Sequence, residues 1–449
     1  MTRIVAGIDL GSTGVKILLA DADDECRTLL VRQLPTPWRA APQGRTELDA
    51  DTLLATLTDL LTGAAADLAQ DPALVGRPVL AVAISGMGET GILLDRDDRP
   101  AAPGIAWFDP RGEDRSTELA ERFGEEFPAR TGLPLGVQLP VVKLATLAAE
   151  GLDLADLRWT NLPDWVAFAL GARLAVDSSL TSRTGMLDAD TGAAWAAMAT
   201  HLGVGPDFLP PVLDAGTDRG EATAEWLPAP FRGARVTVAG HDHLVSAVAG
   251  GAVADDRYHA SLGTAEVLLR VLDEPLPPAA RVRLAAFLIN CVRHVVPGTH
   301  VLVAGVKTGL LQRRALQLAG ISDRAGRDAL DAAVMDLPVD GALEPGAVEV
   351  TGARNDDGVL AVRLPADGVG PAELFAAVLR HGNDELARLV EAMDAELPPA
   401  RATVLTGGWA QMRSVQRARA RVLPAPEVSG REEDTAHGAA LFAARLLPA

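Results

Sequence analysis

The first 21 positions hold two short apolar runs that a polar, glycine-containing segment separates. The runs cover residues 3–9 and 15–20, and the sequence DLGSTG lies at the junction between them. Alternation with a period of two predicts strands, and a short glycine-rich break between two strands predicts a hairpin. We therefore expect a β-hairpin that carries Asp9, Ser12 and Thr13 at its tip.

The next periodic segment predicts an amphipathic helix followed by a buried strand. Residues 50–69 place apolar side chains at helical spacing, and Asp51 is a candidate N-cap. Residues 78–85, PVLAVAIS, form a short apolar run that ends in the glycine-rich sequence GMGET. The apolar stripe of the helix consists of Leu53, Leu54, Leu57, Leu60, Leu61, Ala64 and Leu68.

The second half of the chain repeats this order of elements. A strand at 234–243 ends in a glycine turn, a strand–turn–strand follows at 258–271, a long amphipathic helix spans 371–397, and a strand at 402–409 ends in glycines. Strands mixed with helices in this way indicate an α/β class. The repeat predicts two domains of related architecture with a cleft between them and a seam near residues 228–240, and no short period indicates a solenoid.

Composition is consistent with this picture. The 449 residues exceed the usual single core, and 48% hydrophobic with 22% charged residues is typical of a globular protein. Two cysteines, Cys26 and Cys291, indicate a reducing cytoplasm, and we expect neither a signal peptide nor a membrane span. The net charge of −19 disfavours nucleic-acid and membrane partners, so an anionic ligand would need backbone N–H groups, a helix N-terminus or a metal ion.

The first hairpin tip has two interpretations. It is either a tight turn in which Gly11 and Gly14 supply positive φ, or a phosphate cradle. In a cradle, backbone N–H groups and the hydroxyls of Ser12 and Thr13 donate to phosphate oxygens, and Asp9 holds a magnesium ion. The segment lacks the ending of a Walker loop, and its strand returns as a hairpin, unlike a Rossmann fingerprint.

Three further motifs contain residues suited to phosphate chemistry. The sequence SLGTAEVLLR gives a second hairpin with Gly263 and Thr264 at its tip, and LTGGWAQMRS gives a third glycine turn. The sequence GHDHL is either a polar turn, a metal site built on two histidines, or a strand end at which Asp242 acts as a general base. Phosphoryl transfer to an alcohol needs one carboxylate near the attacking hydroxyl, which favours the last interpretation.

Together the motifs GIDLGSTGVK, AWFDPR, AGHDHL, SLGTAE, LTGGWAQMRS and DTAHGAALFAA resemble the FGGY family of carbohydrate kinases, in the superfamily of actin, sugar kinases and heat-shock chaperone ATPases. Their order and spacing match that family from residue 4 to residue 445. The resemblance implies an α/β fold of two ribonuclease-H-like (actin-like ATPase) domains that flank a deep catalytic cleft. It assigns the sugar site and first phosphate loop to residues 1–238, and the catalytic base and nucleotide site to residues 239–449.

The resemblance also implies ATP and Mg²⁺ and assigns residues to them. Asp9 and Asp242 would serve the magnesium ion, and Asp242 would also be the catalytic base. Gln312 stands near the place of a family tryptophan, which is absent here. The residues that would contact the nucleotide are Gly11, Ser12, Thr13, Lys16, Gly263, Thr264, Gly305, Gly309, Gly407, Gly408 and Ser414.

The acceptor pocket is expected in the N-terminal domain. Gly88 stands where better-known members have arginine or histidine, and His243 stands where they have an amide, so the resemblance names no single sugar. Glu89 and Arg111 would bind hydroxyls, with a structural salt bridge as the alternative. Asp164 is a candidate helix cap, and Asp177, Ser179 and Ser182 are candidate structural turns. The residues expected to contact the acceptor are Gly88, Glu89, Trp107, Asp109, Arg111, Asp242 and His243.

The function that the resemblance implies is ATP-dependent phosphorylation of a sugar or polyol by a cytoplasmic enzyme. It leaves open whether the enzyme is a homodimer. Two other classes of protein are alternatives: a chaperone-like or filament-forming ATPase of the same superfamily, and a sugar-binding regulator without kinase turnover. The acceptor residues disfavour the first alternative, and intact Asp9, Asp242 and Thr264 disfavour the second.

Overall fold

The computed structural model describes residues 2–251, 254–338, 346–354, 359–429 and 434–448. The strands in this part of the chain are β1 Ile4–Leu10, β2 Gly14–Asp21, β3 Arg27–Pro35, β4 Trp38–Ala40, β5 Thr46–Leu48, β6 Val79–Gly86, β7 Gly91–Leu94, β8 Pro100–Ala102, β9 Gly104–Ile105, β10 Arg158–Asn161, β11 Val176–Asp177, β12 Val212–Leu213, β13 Arg235–His241, β14 Arg257–Leu262, β15 Glu266–Leu272, β16 Asn290–Arg293, β17 His300–Val306, β18 Glu349–Thr351, β19 Ala361–Arg363, β20 Ala402–Thr406 and β21 Pro426–Val428.

The α-helices are α1 Ala50–Gln70, α2 Glu113–Phe123, α3 Glu126–Thr131, α4 Pro140–Ala149, α5 Leu162–Ala169, α6 Ser178–Thr181, α7 Ala196–Leu202, α8 Asp242–Ala249, α9 Pro278–Ala285, α10 Thr308–Leu318, α11 Arg324–Asp336, α12 Pro371–Asp394, α13 Arg413–Arg419 and α14 Asp434–Ala444. Short 3₁₀ turns lie at Pro42–Gly44, Ala229–Phe231 and Gly408–Gln411. Both predicted hairpins, the first helix, the long helix and the glycine-terminated strands are confirmed.

Two large sheets share one topology. The first has the order β13-β6-β1-β2-β3, in which β13, β6 and β1 are parallel and β1-β2-β3 are antiparallel. In the second, β21-β20-β14 are parallel and β14-β15-β17 are antiparallel, with β16 added beyond β17. The repeated order predicted from the sequence is therefore confirmed at the level of strand pairing, and each sheet begins its chain course with a glycine-tipped hairpin.

Helix α1 packs on the first sheet through its leucine stripe. Of the predicted stripe, every residue is buried except Leu54, which is only partly covered. The predicted N-cap was wrong, because Asp49 accepts the Thr52 amide at 3.0 Å whereas Asp51 lies inside the first turn. By length and composition α1 is the one helix among the described residues that would suffice to cross a membrane, and its leucine stripe is covered by β2 and β3.

A shared core joins the two sheets. Val5 and Leu18 of the first sheet belong to the same buried cluster as Val267 and Val301 of the second. Helices α8 and α14, each of which follows the last parallel strand of its repeat, pack against one another in this region, and α14 also covers β1 and β6. The predicted domain boundary after residue 238 falls inside β13, which pairs with the first sheet, so the division into 1–238 and 239–449 stays a prediction.

Candidate active site

The carboxyl ends of three parallel strands bring two aspartates to one edge of the first sheet. Asp9 on β1 is in register with Ser85 on β6, and Ser85 is in register with Gly240 on β13. The Ser85 hydroxyl donates to the Gly240 carbonyl oxygen at 3.1 Å, which fixes the end of β13 beside β6. Asp242 begins α8 immediately after this strand. Since neighbouring strands lie about 4.8 Å apart, Asp9 and Asp242 flank β6 across about 10 Å of backbone.

Asp242 is held at the N-terminus of α8, where the helix dipole favours a negative charge. Its carboxylate accepts the His243 amide at 2.7 Å, and its side chain is 20% exposed. The His241 Nε2 atom lies 3.5 Å from Asp242 Oδ1. The pKa of His241 lies well below its usual range, mainly because the ring is buried and secondly because Arg183 and His243 are close to it. A neutral imidazole thus borders a carboxylate that a substrate hydroxyl can reach.

The residue after Asp242 lies close to the second sheet. The pKa of His259 on β14 is lowered to about 3, mainly because the ring is buried and secondly because of the charge of the neighbouring His243. The His259 Nε2 atom lies 3.2 Å from the Thr406 hydroxyl at the end of β20. His243, one residue from Asp242, therefore lies close to the second sheet, near the glycine turn that follows β20.

The metal interpretations can be tested against this geometry. Within the described ranges no group of three His, Cys, Asp or Glu side chains could by itself hold a metal ion, so the histidine-based site receives no support. Mg²⁺ is usually bound by one or two carboxylates that are completed by phosphate oxygens and water. Asp9 and Asp242 supply this donor type, and they fit a magnesium–phosphate complex better than an all-protein cage.

The first hairpin tip is anchored from behind. The Thr36 hydroxyl donates to the Gly11 carbonyl at 2.6 Å, and the Trp38 indole donates to the Ser12 carbonyl at 2.7 Å. Neither Gly11 nor Gly14 has a left-handed φ, so the interpretation in which these glycines supply positive φ was wrong. Lys16 pairs in register with Asp9 across the hairpin, on the same face of the sheet.

The second hairpin tip is covered by helix α10. A Cβ atom at Gly309 would lie 1.9 Å from the Gly263 carbonyl, so only glycine permits this approach. Gly263 and Thr264 remain accessible at the tip. Gly305 lies in β17 opposite Val267 and lines a cavity of about 90 Å³.

The third glycine turn closes over the second sheet. Gly407 has a φ of +88°, and a Cβ atom there would lie 2.6 Å from the Leu262 carbonyl. Gly408 faces open space, which suits an approaching ligand. Ser414 is bonded elsewhere: its amide and hydroxyl both donate to Asp331 Oδ1, at 2.8 and 2.5 Å. Gln312 is buried on α10, and its side-chain oxygen has no hydrogen-bond partner among the described residues.

On the acceptor side Glu89 is paired with an arginine that sequence reasoning missed. Arg183 Nε donates to Glu89 Oε1 at 2.6 Å. Gly88 borders both Arg183 and His241. Trp107 is 39% exposed, and its amide donates to the Thr90 hydroxyl at 3.1 Å. The family resemblance expects a basic residue at position 88, and this chain has glycine there. That difference is the one sequence signal that a cation from another segment pairs with Glu89.

Asp109 and Arg111 bond to each other instead of facing the cleft freely. Arg111 donates to both Asp109 oxygens at 2.8 and 2.9 Å and to Glu47 at 3.0 Å. Burial would raise the pKa of Asp109, but the bonds from Arg111 and the Thr46 amide outweigh it and hold the pKa below its usual value. Buried Lys143, whose pKa burial lowers to about 8, donates to the carbonyls of both residues. A contact of this pair with an acceptor stays a prediction.

A buried carboxyl pair supports the end of β13, which leads directly into Asp242. The Asp177 carboxylate caps α6 and accepts the Ser179 hydroxyl at 2.5 Å, and that hydroxyl accepts the His241 amide at 3.2 Å. Asp164 accepts the Asp177 amide and pairs with Arg219 at 2.8 Å. Burial raises the pKa of Asp164 and, together with the charge of Asp164, raises the pKa of Asp177 to about 7. Asp164 is thus no cap of its own helix, and Ser179 holds the backbone next to Asp242.

Ser182 links the two halves of the chain. Its hydroxyl accepts the Arg293 amide of β16 at 3.3 Å and donates to the Ser179 carbonyl at 2.9 Å. Ser182, which sequence reasoning ranked as structural, therefore joins the end of α6 to β16 of the second sheet.

Comparison with known proteins gives a consistent answer. Residues 4–249 match the N-terminal domain of the FGGY family of carbohydrate kinases. A gluconokinase of Bacillus subtilis (strain 168) is 25% identical over 215 residues, which are 46% of this chain and 40% of that protein. The alignments with the curated relatives span about half of their length or less.

Solved structures share the whole fold. A xyloylose kinase from Brucella ovis superposes with a TM-score of 0.84 at 22% identity and covers 99% of this chain and 91% of that one. A Plasmodium falciparum glycerol kinase with ADP gives a TM-score of 0.85 at 16% identity, over 98% of this chain and 89% of that one. At these identities the likeness shows the fold, and it confirms the predicted α/β class of two actin-like ATPase domains.

Proposed function

The chain belongs to the FGGY family of carbohydrate kinases, and we propose that it transfers the γ-phosphate of ATP to a hydroxyl group of a sugar or polyol. The observation that carries this proposal is the edge of the first sheet, where Asp9 on β1 and Asp242, directly after β13, lie beside the glycine-tipped hairpin. A carboxylate near the attacking hydroxyl and N–H donors near the phosphates are what this reaction needs.

Asp242 is the general base in this proposal. Its carboxylate accepts the proton of the attacking hydroxyl as the new O–P bond forms and the bond from the γ-phosphorus to the ADP oxygen breaks. Its accessible position at the start of α8 and its uncharged neighbour His241 support this role.

The nucleotide site is proposed at the glycine turns. The N–H groups and hydroxyls of Ser12, Thr13 and Thr264 would donate to phosphate oxygens, and the open face of Gly408 would receive the nucleoside. Asp9 and Asp242 would hold Mg²⁺, which when bound offsets phosphate charge. Closure of the cleft would exclude water during transfer. Lys16, opposite Asp9, would complete the charge balance beside the phosphates.

The test is release of ADP in a coupled assay with Mg-ATP, with and without each of a panel of pentuloses, hexuloses, tetritols, pentitols and glycerol. A kinase releases ADP only with its acceptor, whereas a chaperone-like ATPase releases ADP without one. ADP release that is independent of every acceptor would overturn the proposal in favour of a chaperone-like ATPase. Bound ATP without any release would favour a regulator.

A further inference from the structure

Glu89 and Arg183 form a nearly buried ion pair beside the proposed base. Their side chains are 11% and 9% exposed. The two residues come from distant segments, the turn after β6 and the turn after α6. Glu89 adopts a φ of +58°, in the left-handed region that non-glycine residues adopt uncommonly. The residue with this unfavourable backbone conformation is therefore the one whose carboxylate pairs with the Arg183 guanidinium.

Gly88 creates the space that Arg183 occupies. A Cβ atom at position 88 would lie 2.9 Å from Arg183 Nε and 2.9 Å from His241 Cδ2. Any larger residue there would displace the guanidinium, the imidazole or both. The guanidinium and imidazole flank the same glycine, and the imidazole lies 3.5 Å from Asp242, so the ion pair is one side chain away from the base.

The pair leaves hydrogen-bonding capacity unused. Arg183 Nη1 has no hydrogen-bond partner in the described part of the chain and is out of contact with solvent. The same holds for Nδ1 of His241. A buried donor without an acceptor is unfavourable, and a ligand oxygen that entered as the cleft opened would satisfy it.

We propose that Arg183, together with Glu89, binds the acceptor and selects an uncharged polyhydroxy compound, which rests on the kinase function proposed above. One hydroxyl would donate to Glu89 while a neighbouring hydroxyl accepts from Arg183, so the pair matches two adjacent hydroxyls. A carboxylate on the acceptor would be repelled by Glu89 and Asp242, because the positive charge of Arg183 is already balanced by Glu89. Arg183 is therefore a specificity-determining residue supplied by a different segment than Gly88.

The experiment measures equilibrium binding and turnover separately. Isothermal titration without nucleotide uses glycerol, xylitol, sorbitol, D-xylulose and D-fructose, and then glycerate, xylonate and gluconate. ADP release with Mg-ATP follows for each compound. The variants are Arg183→Gln, Arg183→Lys and Gly88→Ala, and the matched control is Arg130→Gln, which breaks a partly exposed pair with Asp188.

We expect one uncharged compound to bind the wild type more tightly than its matching carboxylate. Arg183→Gln should weaken its binding about tenfold to hundredfold, the loss expected for a hydrogen bond to a charged group, while KM for ATP stays within about twofold. Arg183→Lys should bind the acceptor with an affinity between those of the wild type and Arg183→Gln, because an ammonium group keeps the charge but lacks the planar set of guanidinium donors. Gly88→Ala should weaken binding by displacing the guanidinium. Arg130→Gln should bind as the wild type does.

The outcomes separate this inference from the function. If the wild type phosphorylates an acceptor that folded Arg183→Gln and Arg183→Lys bind equally well, the inference fails and the kinase function stands. Preferred binding of a carboxylate, or no binding of any compound in the panel, also overturns the inference. If an uncharged compound binds through Arg183 but ADP is never released, the inference holds and the kinase function fails.

Discussion

Arg419 and Glu266 form a fully buried ion pair in which both carboxylate oxygens accept guanidinium hydrogens. Arg419 Nε and Nη2 each lie 2.7 Å from a Glu266 oxygen, and the side chains are 0% and 1% exposed. The Thr308 hydroxyl adds a third bond at 2.8 Å, and Asn383 accepts from Arg419 at 2.6 Å. Since Glu266 begins β15, this cluster fixes the second hairpin tip to α10, α12 and α13.

Glu266→Gln should destabilise the protein strongly, because it leaves a buried guanidinium without its charge partner. Loss of one member of a buried pair costs about 3–5 kcal/mol. The free energy of unfolding in urea is the measurement, and KM for ATP should rise because the hairpin at Gly263 and Thr264 loosens.

The partly exposed pair of Arg283 and Glu396 is the matched control. It has the same two-bond geometry at 2.6 and 2.8 Å, but Arg283 is 60% exposed. Glu396→Gln should therefore cost at most about 1 kcal/mol. Equal losses in the two variants would contradict the role given to the buried pair.

Asp242→Asn should lower kcat by about 10² to 10⁴, because general-base catalysis contributes about that factor. The amide keeps the size and the hydrogen bond from the His243 amide, so ATP binding should stay nearly intact. Steady-state kinetics with the identified acceptor, together with nucleotide titration, measures both. Asp273→Asn, at an exposed position, is the control. Near-normal kcat in Asp242→Asn would remove Asp242 from the role of base.

Local patterns predicted the elements of the site well. Alternating apolar residues and glycine breaks placed both hairpins, and the helical leucine stripe of α1 is buried as predicted apart from Leu54. The choice of Asp51 over Asp49 as N-cap failed because both acids lie near the helix start, and only backbone geometry decides which one reaches the Thr52 amide.

Side-chain partners across long separations could not be predicted. Glu89 meets Arg183, 94 residues away, and Ser414 bonds to Asp331, 83 residues away. Such pairs depend on how the strand ends and helices are arranged in space, which no spacing in the sequence encodes. The salt-bridge alternative for Glu89 and Arg111 is present in the structure with partners that the sequence did not indicate: Glu89 pairs with Arg183, and Arg111 pairs with Asp109 and Glu47.

Asp177 should make the stability fall as pH rises from about 4 to about 7. Burial and the charge of Asp164 raise its pKa in the folded state to about 7 from 3.8. In that window the folded state retains a proton that the unfolded state has lost, so raising the pH favours unfolding, and the slope vanishes above the folded pKa. Urea unfolding between pH 4 and pH 8 measures this slope. Asp177→Asn should reduce this slope, because the amide does not titrate, and Asp164, whose pKa burial also raises, carries what remains.

The stability of Asp177→Asn at pH 8 tests the same assignment of the pH dependence to Asp177. Asparagine can still accept the Ser179 and Leu180 amides through its side-chain oxygen, so Asp177→Asn should be at least as stable as the wild type there. A variant that is less stable at pH 8 and keeps the wild-type slope would show that other groups carry the pH dependence.

Ser179→Ala should weaken catalysis without changing nucleotide binding. The variant removes the oxygen that accepts the buried His241 amide at 3.2 Å, and an unsatisfied buried N–H costs about 1–3 kcal/mol. The end of β13 then holds Asp242 less firmly, so kcat should fall about tenfold while KM for ATP is unchanged. The control is Ser178→Ala, on the same helix as Ser179, which loses only a hydrogen bond from the Ser178 hydroxyl to Asp214. Equal kinetics in the two variants would contradict a positioning role for Ser179.

Trp38→Phe tests whether the first hairpin tip is held for phosphate binding. The indole donates to the Ser12 carbonyl at 2.7 Å and packs edge-on against Phe108, with ring centroids 5.4 Å apart. Phenylalanine keeps the ring contact and loses the hydrogen bond, whose net value of about 1 kcal/mol corresponds to about a fivefold rise in KM for ATP. Trp226→Phe removes an equivalent bond to the Ala169 carbonyl and should leave KM unchanged. If both variants retain the wild-type KM, the tip does not depend on Trp38, and Thr36 alone anchors it through the Gly11 carbonyl.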